Sequence, residues 1–155
     1  MRELKPPDPL EVDRTRPIVF LAGSIEMGLA EDWQSQVVAG LADLNGTVLN
    51  PRRNAWDATW TQDASFKPFR QQVEWELDAQ ALADVTAFYF APETHAPVTL
   101  LELGLAAGRR RAVVCCPNGY WRRGNVEIVC MRYGIPMVGT LAEMVDRLRL
   151  EARPN

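Results

Sequence analysis

Apolar residues along this chain fall into short continuous runs, separated by stretches where they recur every three or four positions. The continuous runs are Pro17 to Ala22, Thr47 to Asn50, Asp84 to Phe90, Ala112 to Cys116 and Ile135 to Val138. Runs of this length with little alternation predict strands covered on both faces. The helical spacings lie between them. Trp33, Val37, Val38, Leu41 and Leu44 form one stripe, predicting a helix over residues 30–44 that closes in Asn45-Gly46. Phe69, Val73, Leu77 and Ala81 predict a second helix over 69–83, with those four residues inward. A third helix is expected from Thr99 to Gly108. A fourth is expected from Arg122 to Tyr133, with Val126, Val129 and Cys130 inward. The last runs from Thr140 to Leu150, opened by the capping box Thr140-Leu141-Ala142-Glu143.

Five alternations of strand and helix predict an α/β fold, with a parallel sheet and helices on both faces. The simplest closure is a flavodoxin-like five-stranded sheet in the order 2-1-3-4-5. Its switch point lies between the first and third strands. Gly23, the loop from Pro92 to Pro97 and the start of the Thr99 helix would meet there. Residues 17–150 make one domain on this reading. Residues 1–16, with Pro6, Pro7 and Pro9, read as a loosely held arm, and 151–155 as a tail.

At 155 residues with 47% hydrophobic and 24% charged residues, the chain is long enough for one well-buried core. A formal charge of -3 gives no electrostatic reason to expect nucleic-acid binding. No apolar run reaches membrane-spanning length, and the first residues lack the apolar core of a signal peptide. Cys115, Cys116 and Cys130 have no metal-ligand spacing and read as reduced, buried thiols. The expected compartment is cytoplasmic, without a membrane or nucleic-acid partner.

The candidate chemistry starts with what is missing. There is no GxGxxG, GxxxxGK[ST] or GxSxG pattern, and His95 is the single histidine. A zinc site or a serine–histidine triad has little to build on, so no metal or cofactor is expected. Gly23 and Ser24 end the first strand. They fit either a plain βα turn or a turn laid against a ligand. Residues 51–68 form a long segment without apolar period, carrying Arg52, Arg53, Trp56, Asp57 and Trp60. Such a segment suits a flap over a flat ligand, or a loop that packs its tryptophans on the body. Arg52 and Arg53 would suit a phosphate. His95 reads as an exposed loop residue or as a proton donor to a leaving group.

Glu102 is the charge that needs explaining, because Leu, Ala and Gly surround it in the predicted Thr99 helix. Thr99-Leu100-Leu101-Glu102 is itself a capping box, which accounts for the glutamate structurally. The same position at a switch point also suits a nucleophile, since a carboxylate can attack a sugar's anomeric carbon and form a glycosyl ester. Glu76 lies beside the second helix's apolar stripe, about two turns before the next strand, and can point at the strand ends.

Phe20-Leu21-Ala22-Gly23-Ser24, Asn50-Pro51-Arg52-Arg53, Ala83-Asp84-Val85 and Leu101-Glu102-Leu103-Gly104-Leu105-Ala106 resemble, in order and spacing, the nucleoside 2-deoxyribosyltransferase family. The nearer resemblance is to its "2-deoxyribosyltransferase-like" branch, over residues 17–138. The resemblance implies a flavodoxin-like fold and transfer of 2-deoxyribosyl groups between nucleobases. It implies Glu102 as nucleophile, Glu76 as the second acidic residue, and Gly23 and Ser24 against the ligand. It also implies homo-oligomers in which an asparagine from a neighbouring subunit, matched here by Asn125, completes the pocket. Characterised transferases carry an acidic residue six positions before the nucleophile; here that position is Ala96, and Asp57, Trp56 or His95 are the candidates to replace it. The expected partners are a nucleoside or nucleotide and a free nucleobase. Hydrolysis of a nucleoside or its monophosphate is the alternative reaction, and a non-catalytic nucleoside or nucleotide sensor is the alternative class.

Overall fold

Alternation of side chains along each strand sends Ile18, Phe20 and Ala22 to one face of a sheet and Val19 and Leu21 to the other, and all five are buried. A computed structural model describes residues 1–25, 31–54, 57, 59–109 and 111–152. It contains six strands: β1 (Arg2–Leu4), β2 (Ile18–Gly23), β3 (Thr47–Leu49), β4 (Val85–Tyr89), β5 (Ala112–Cys115) and β6 (Met137–Val138). Five helices accompany them: α1 (Trp33–Gly40), α2 (Lys67–Leu82), α3 (Pro97–Ala107), α4 (Arg123–Tyr133) and α5 (Leu141–Glu151). The sheet order is β1-β3-β2-β4-β5-β6, and every neighbouring pair is parallel. Helices α2, α3 and α4 pack on one face, around Phe20, Phe88 and Phe90. Helices α1 and α5 pack on the other, around Leu21, Trp33 and Met144.

The α/β architecture and the central order of five strands match the expectation; the sheet gains a sixth strand. Residues 2–4, expected in a loose arm, pair in register with Thr47 to Leu49 along the outer edge of β3. An open parallel edge offers unpaired backbone groups, and the extended N-terminus satisfies them. Further bonds hold the rest of the N-terminal segment at Asp8 and Arg14. Trp75 Nε1 donates to the Asp8 carbonyl at 2.8 Å, and Arg14 donates to the Leu82 carbonyl at 3.2 Å.

Three helix expectations change. Helix α1 is shorter than predicted, because Asp32 caps it by accepting from the Ser35 N–H at 3.1 Å. It ends at Gly40, so Asn45-Gly46 closes a following turn and not the helix. Gly46 is needed there because a Cβ would collide with the Pro17 carbonyl. Helix α2 is rotated relative to its expected stripe. Gln72, Trp75 and Ala79 are its buried residues, whereas Leu77 is 47% exposed and Ala81 is exposed. The large indole of Trp75 takes the sheet-facing position, and Leu77 falls two residues, about 200° around the helix, from it. Helix α3 begins at Pro97, two residues early, in keeping with proline's suitability for the first helical position. The Thr140–Glu143 capping box forms as expected.

Asp84 shows why an Ala-Asp pair stands before β4. Its carboxylate accepts the Ile18 N–H at 2.9 Å, and its own N–H donates to the Ile18 carbonyl at 2.9 Å. This latch registers β4 against β2, the two strands whose carboxyl ends build the site. The three cysteines are free and buried, and burial pushes the Cys116 and Cys130 thiols up to about 11. No helix among the described residues is long and apolar enough to cross a membrane.

Candidate active site at the carboxyl ends of the central strands

Gly23 ends β2 opposite Tyr89, the last residue of β4. A Cβ at Gly23 would lie 2.7 Å from the Tyr89 carbonyl and 2.6 Å from the Trp33 ring, so only glycine fits. Trp33 closes the same corner: its Nε1 donates to the Ser24 carbonyl at 3.1 Å, and its ring stands 5.2 Å from that of Tyr89. Ser24 is 1% exposed. Its hydroxyl accepts the Ala91 N–H at 3.1 Å and meets the Thr94 hydroxyl at 2.8 Å, while Thr94 donates to the Ala91 carbonyl at 2.8 Å. Since Thr94 spends its proton on Ala91, Ser24 is the donor between the two hydroxyls. The turn after β2 therefore grips the loop after β4.

That loop sets where α3 starts. Glu93 and Ala96 both have positive φ, 61° and 42°. A non-glycine residue in this region costs about 1 kcal/mol or more and persists only where surrounding contacts impose it. The contacts are Ser24 at one end, and Tyr120 and Trp121 at the other. The Tyr120 hydroxyl and Trp121 Nε1 both donate to the His95 carbonyl, at 2.9 and 3.1 Å. Because Ala96 caps the helix and Pro97 begins it, Glu102 falls in the second turn. The capping box expected of Thr99 and Glu102 is absent: Thr99 is a buried helical residue, and no side chain caps α3. The capping explanation for Glu102 is removed.

The carboxylate is instead coupled to Glu76 on α2. Gln72, Glu76 and Gln80 recur at four-residue spacing along α2, from the buried Gln72 to the half-buried Glu76 and Gln80. Gln80 Nε2 donates to the Glu102 main-chain carbonyl at 3.2 Å, tying the two helices turn to turn. Gln72 Nε2 donates to Glu76 Oε1 at 2.8 Å and to the Pro51 carbonyl at 2.9 Å. Burial holds the Glu102 carboxyl at about 8, and the charge of Glu76 adds to the shift. Burial holds Glu76 at about 7, opposed by the hydrogen bond from Gln72. Two coupled carboxyls in a poorly solvated site titrate as a pair, which holds on to a proton near neutral pH. Glu102 holds the pair's proton to the higher pH, about 8 against about 7, so attack by Glu102 requires that proton to move onto Glu76.

The other sequence-derived candidates spread around this pair. Arg52 leaves β3's turn and donates to the Glu31 carbonyl and to Gln34 Oε1, both at 3.3 Å, and lies 3.9 Å from Asp32. It braces the start of α1. Arg53 stacks 5.1 Å above the Trp60 ring, and Trp60 meets Phe66 at 6.1 Å, so this part of the long loop packs on itself. Asp57 is exposed and spends its carboxylate on the Thr59 N–H and hydroxyl. Trp56 lies outside the described residues. The His95 ring meets Trp121 at 5.3 Å, on the side of the loop that leads into α4. Asn125 is exposed in the first turn of α4. The structure thus places Gly23 and Ser24 where the end of β2 meets the loop after β4, and couples Glu76 on α2 to Glu102 on α3. Gln72, Gln80 and Thr94 were missed from sequence. The Gln-x-x-x-Glu-x-x-x-Gln spacing was the available signal for the first two; nothing pointed to Thr94.

Comparison with known proteins gives the same outline. Residues 16–120 match the family described as nucleoside 2-deoxyribosyltransferase like. No curated protein sequence matches the chain. Among solved structures, a conserved protein from Enterococcus faecalis V583 superposes with a TM-score of 0.55 at 10% identity, covering 87% of this chain and 98% of that one. At that identity the likeness concerns the fold alone.

Proposed function

The chain belongs to the nucleoside 2-deoxyribosyltransferase-like family, and from that premise we propose that it cleaves the N-glycosidic bond of a 2'-deoxynucleoside and transfers the sugar to a second nucleobase. With the pair's one proton moved onto Glu76, the Glu102 carboxylate attacks C1' as the bond from C1' to the base nitrogen breaks, giving a glycosyl ester and a departing base. Glu76 gives its proton to that base. The incoming base then attacks C1', Glu102 leaves as carboxylate, and the proton returns to Glu76. The transition state is oxocarbenium-like, and a half-buried carboxylate stabilises it more strongly than one in water would.

The single observation that carries this reading is the half-buried, electrostatically coupled pair Glu76–Glu102 on α2 and α3, helices tied by the Gln80 bond to the Glu102 carbonyl. Water as acceptor would make the same site a hydrolase. Self-association also belongs to the proposal. Leu77, Val98, Leu101, Leu105, Ile128 and Met131 are exposed apolar residues on α2, α3 and α4, the layer that also carries Asn125. An apolar face of this kind favours a partner surface, and a second copy would bring its Asn125 with it.

The test is incubation of the protein with a deoxynucleoside and a different free base, followed by mass spectrometry. An exchanged nucleoside supports transfer, and free deoxyribose supports hydrolysis. Glu102→Gln should lower either activity by about 10³-fold or more. Full activity in that variant would falsify the nucleophile assignment. Nucleoside binding without turnover in the wild type would favour a sensor.

A further inference from the structure

We propose that Gln72 is a positioning residue for Glu76, holding its carboxyl against the turn after β3 in the orientation from which it exchanges a proton with the nucleobase. This rests on the N-glycosidic reading above. The amide of Gln72 is 4% exposed and makes two donor bonds, to the Pro51 carbonyl at 2.9 Å and to Glu76 Oε1 at 2.8 Å. Its orientation is assigned by chemistry, since a carbonyl can only accept and so must face the amide nitrogen. The consequence falls on the other atom. Gln72 Oε1 is buried and has no partner among the described residues. An unpaired buried acceptor is destabilising, and an unbranched apolar side chain would remove that penalty while leaving the Pro51 carbonyl and Glu76 without their donor. The glutamine therefore serves its two acceptors and not its own pairing.

The consequence for Glu76 is directional. Glu76 could turn about its side-chain bonds on α2; a bond from one turn earlier, itself anchored to β3, removes that freedom. The charged group coupled to it across the site is Glu102 on α3. From α2 itself, Gln72 is the neighbour that favours its ionised form. Gln72 thus sets both where the Glu76 carboxyl points and how readily it yields its proton.

Gln72→Met removes the donor and keeps an unbranched side chain of similar length. The thermal midpoint should fall modestly, since the Pro51 carbonyl loses its donor while the unpaired oxygen goes with the amide. Turnover should fall about 10- to 100-fold with KM within about twofold. The alkaline limb of the pH–rate profile should move up by about half a unit to one unit, because loss of a bond to the charged form raises a carboxyl. A second readout does not need catalysis: carboxyl-carbon NMR titration of Glu76 in the unliganded protein should show the same upward move. A titration midpoint unchanged between wild type and Gln72→Met overturns the proposal. A wild type that turns over no nucleoside defeats the reaction, while the NMR titration still decides the placement of Glu76 by Gln72.

Discussion

Gln80 on α2 donates its side-chain N–H to the main-chain carbonyl of Glu102 on α3, at 3.2 Å. That bond lies one turn beyond Glu76, and it fixes which turn of α2 faces the turn of α3 that carries the second carboxylate. Neither helix alone makes the pair. The facing arises from a contact between residues twenty-two positions apart.

Removing this tie should cost activity more than stability. Gln80→Leu should lower the transfer or hydrolysis rate by about three- to tenfold, because small displacements of a nucleophile are expensive. The stability change should stay within about 1 kcal/mol, since a net hydrogen bond is worth about that much. Steady-state kinetics beside a urea melt measure both quantities. An unaltered rate would show that the helix register does not depend on this bond.

The pair also makes a prediction about stability. Burial holds Glu76 at about 7 and Glu102 at about 8, each above the ordinary value of 4.5. The folded protein therefore binds these protons more tightly than the unfolded chain does. The resulting stabilisation is fully present below 4.5 and is lost as pH rises through 7 to 8. Between about pH 5 and pH 8 the pair should cost the fold up to several kcal/mol. Denaturant melts of the wild type and the double variant Glu76→Gln/Glu102→Gln, compared across that window, should diverge, with the variant less sensitive to pH. Parallel curves would mean the pair is not held protonated by the fold.

Asp84 should behave as a structural latch. Asp84→Ala leaves the Ile18 N–H unpaired between two buried strands. The expected loss is about 1 to 3 kcal/mol, read as a lowered denaturant midpoint with an unchanged m-value. Activity per folded molecule should fall as well, because β2 and β4 carry the two edges of the site. A melt superimposable on the wild type would rule the latch out.

Self-association is tested on the layer formed by α2, α3 and α4. Leu101 is 65% exposed and Met131 is 76% exposed. The wild type should run as a dimer or larger in light scattering, and Leu101→Arg/Met131→Arg should shift it toward monomer, since buried unpaired charges oppose association. A wild type that remains monomeric at high concentration would leave Asn125 without a neighbouring site to complete.

The strands were the most legible part of the chain, because a continuous apolar run can be satisfied only by burial on two faces. β2, β4 and β5 stand where Ile18, Val85 and Ala112 open such runs, and their parallel order comes from the helices between them. β1 was not legible. Arg2-Glu3-Leu4 has no apolar run, and its pairing depends on the open edge that β3 presents. The face of α2 was misjudged because Phe69, Val73, Leu77 and Ala81 share a helical period as good as that of Gln72, Trp75 and Ala79. Periodicity states that a helix has sides; the bulk of Trp75 against the sheet decides which side is inward.

Glu102 depends on both levels. Composition and order determined that a lone carboxylate sits in an apolar helix beside the switch point of a parallel sheet. Sequence alone left a capping box standing as its structural explanation. The tertiary structure decided otherwise: the left-handed Ala96, imposed by contacts from Ser24, Tyr120 and Trp121, starts the helix two residues early. That shift carries Glu102 past the capping turn, and the Gln80 tie between α2 and α3 brings it near enough to Glu76 to couple with it. Local sequence determines which residues are apolar and how far apart they stand. The depth and charge of a carboxyl depend on what the rest of the chain brings against it, and burial beside a second carboxyl is a property no single segment contains.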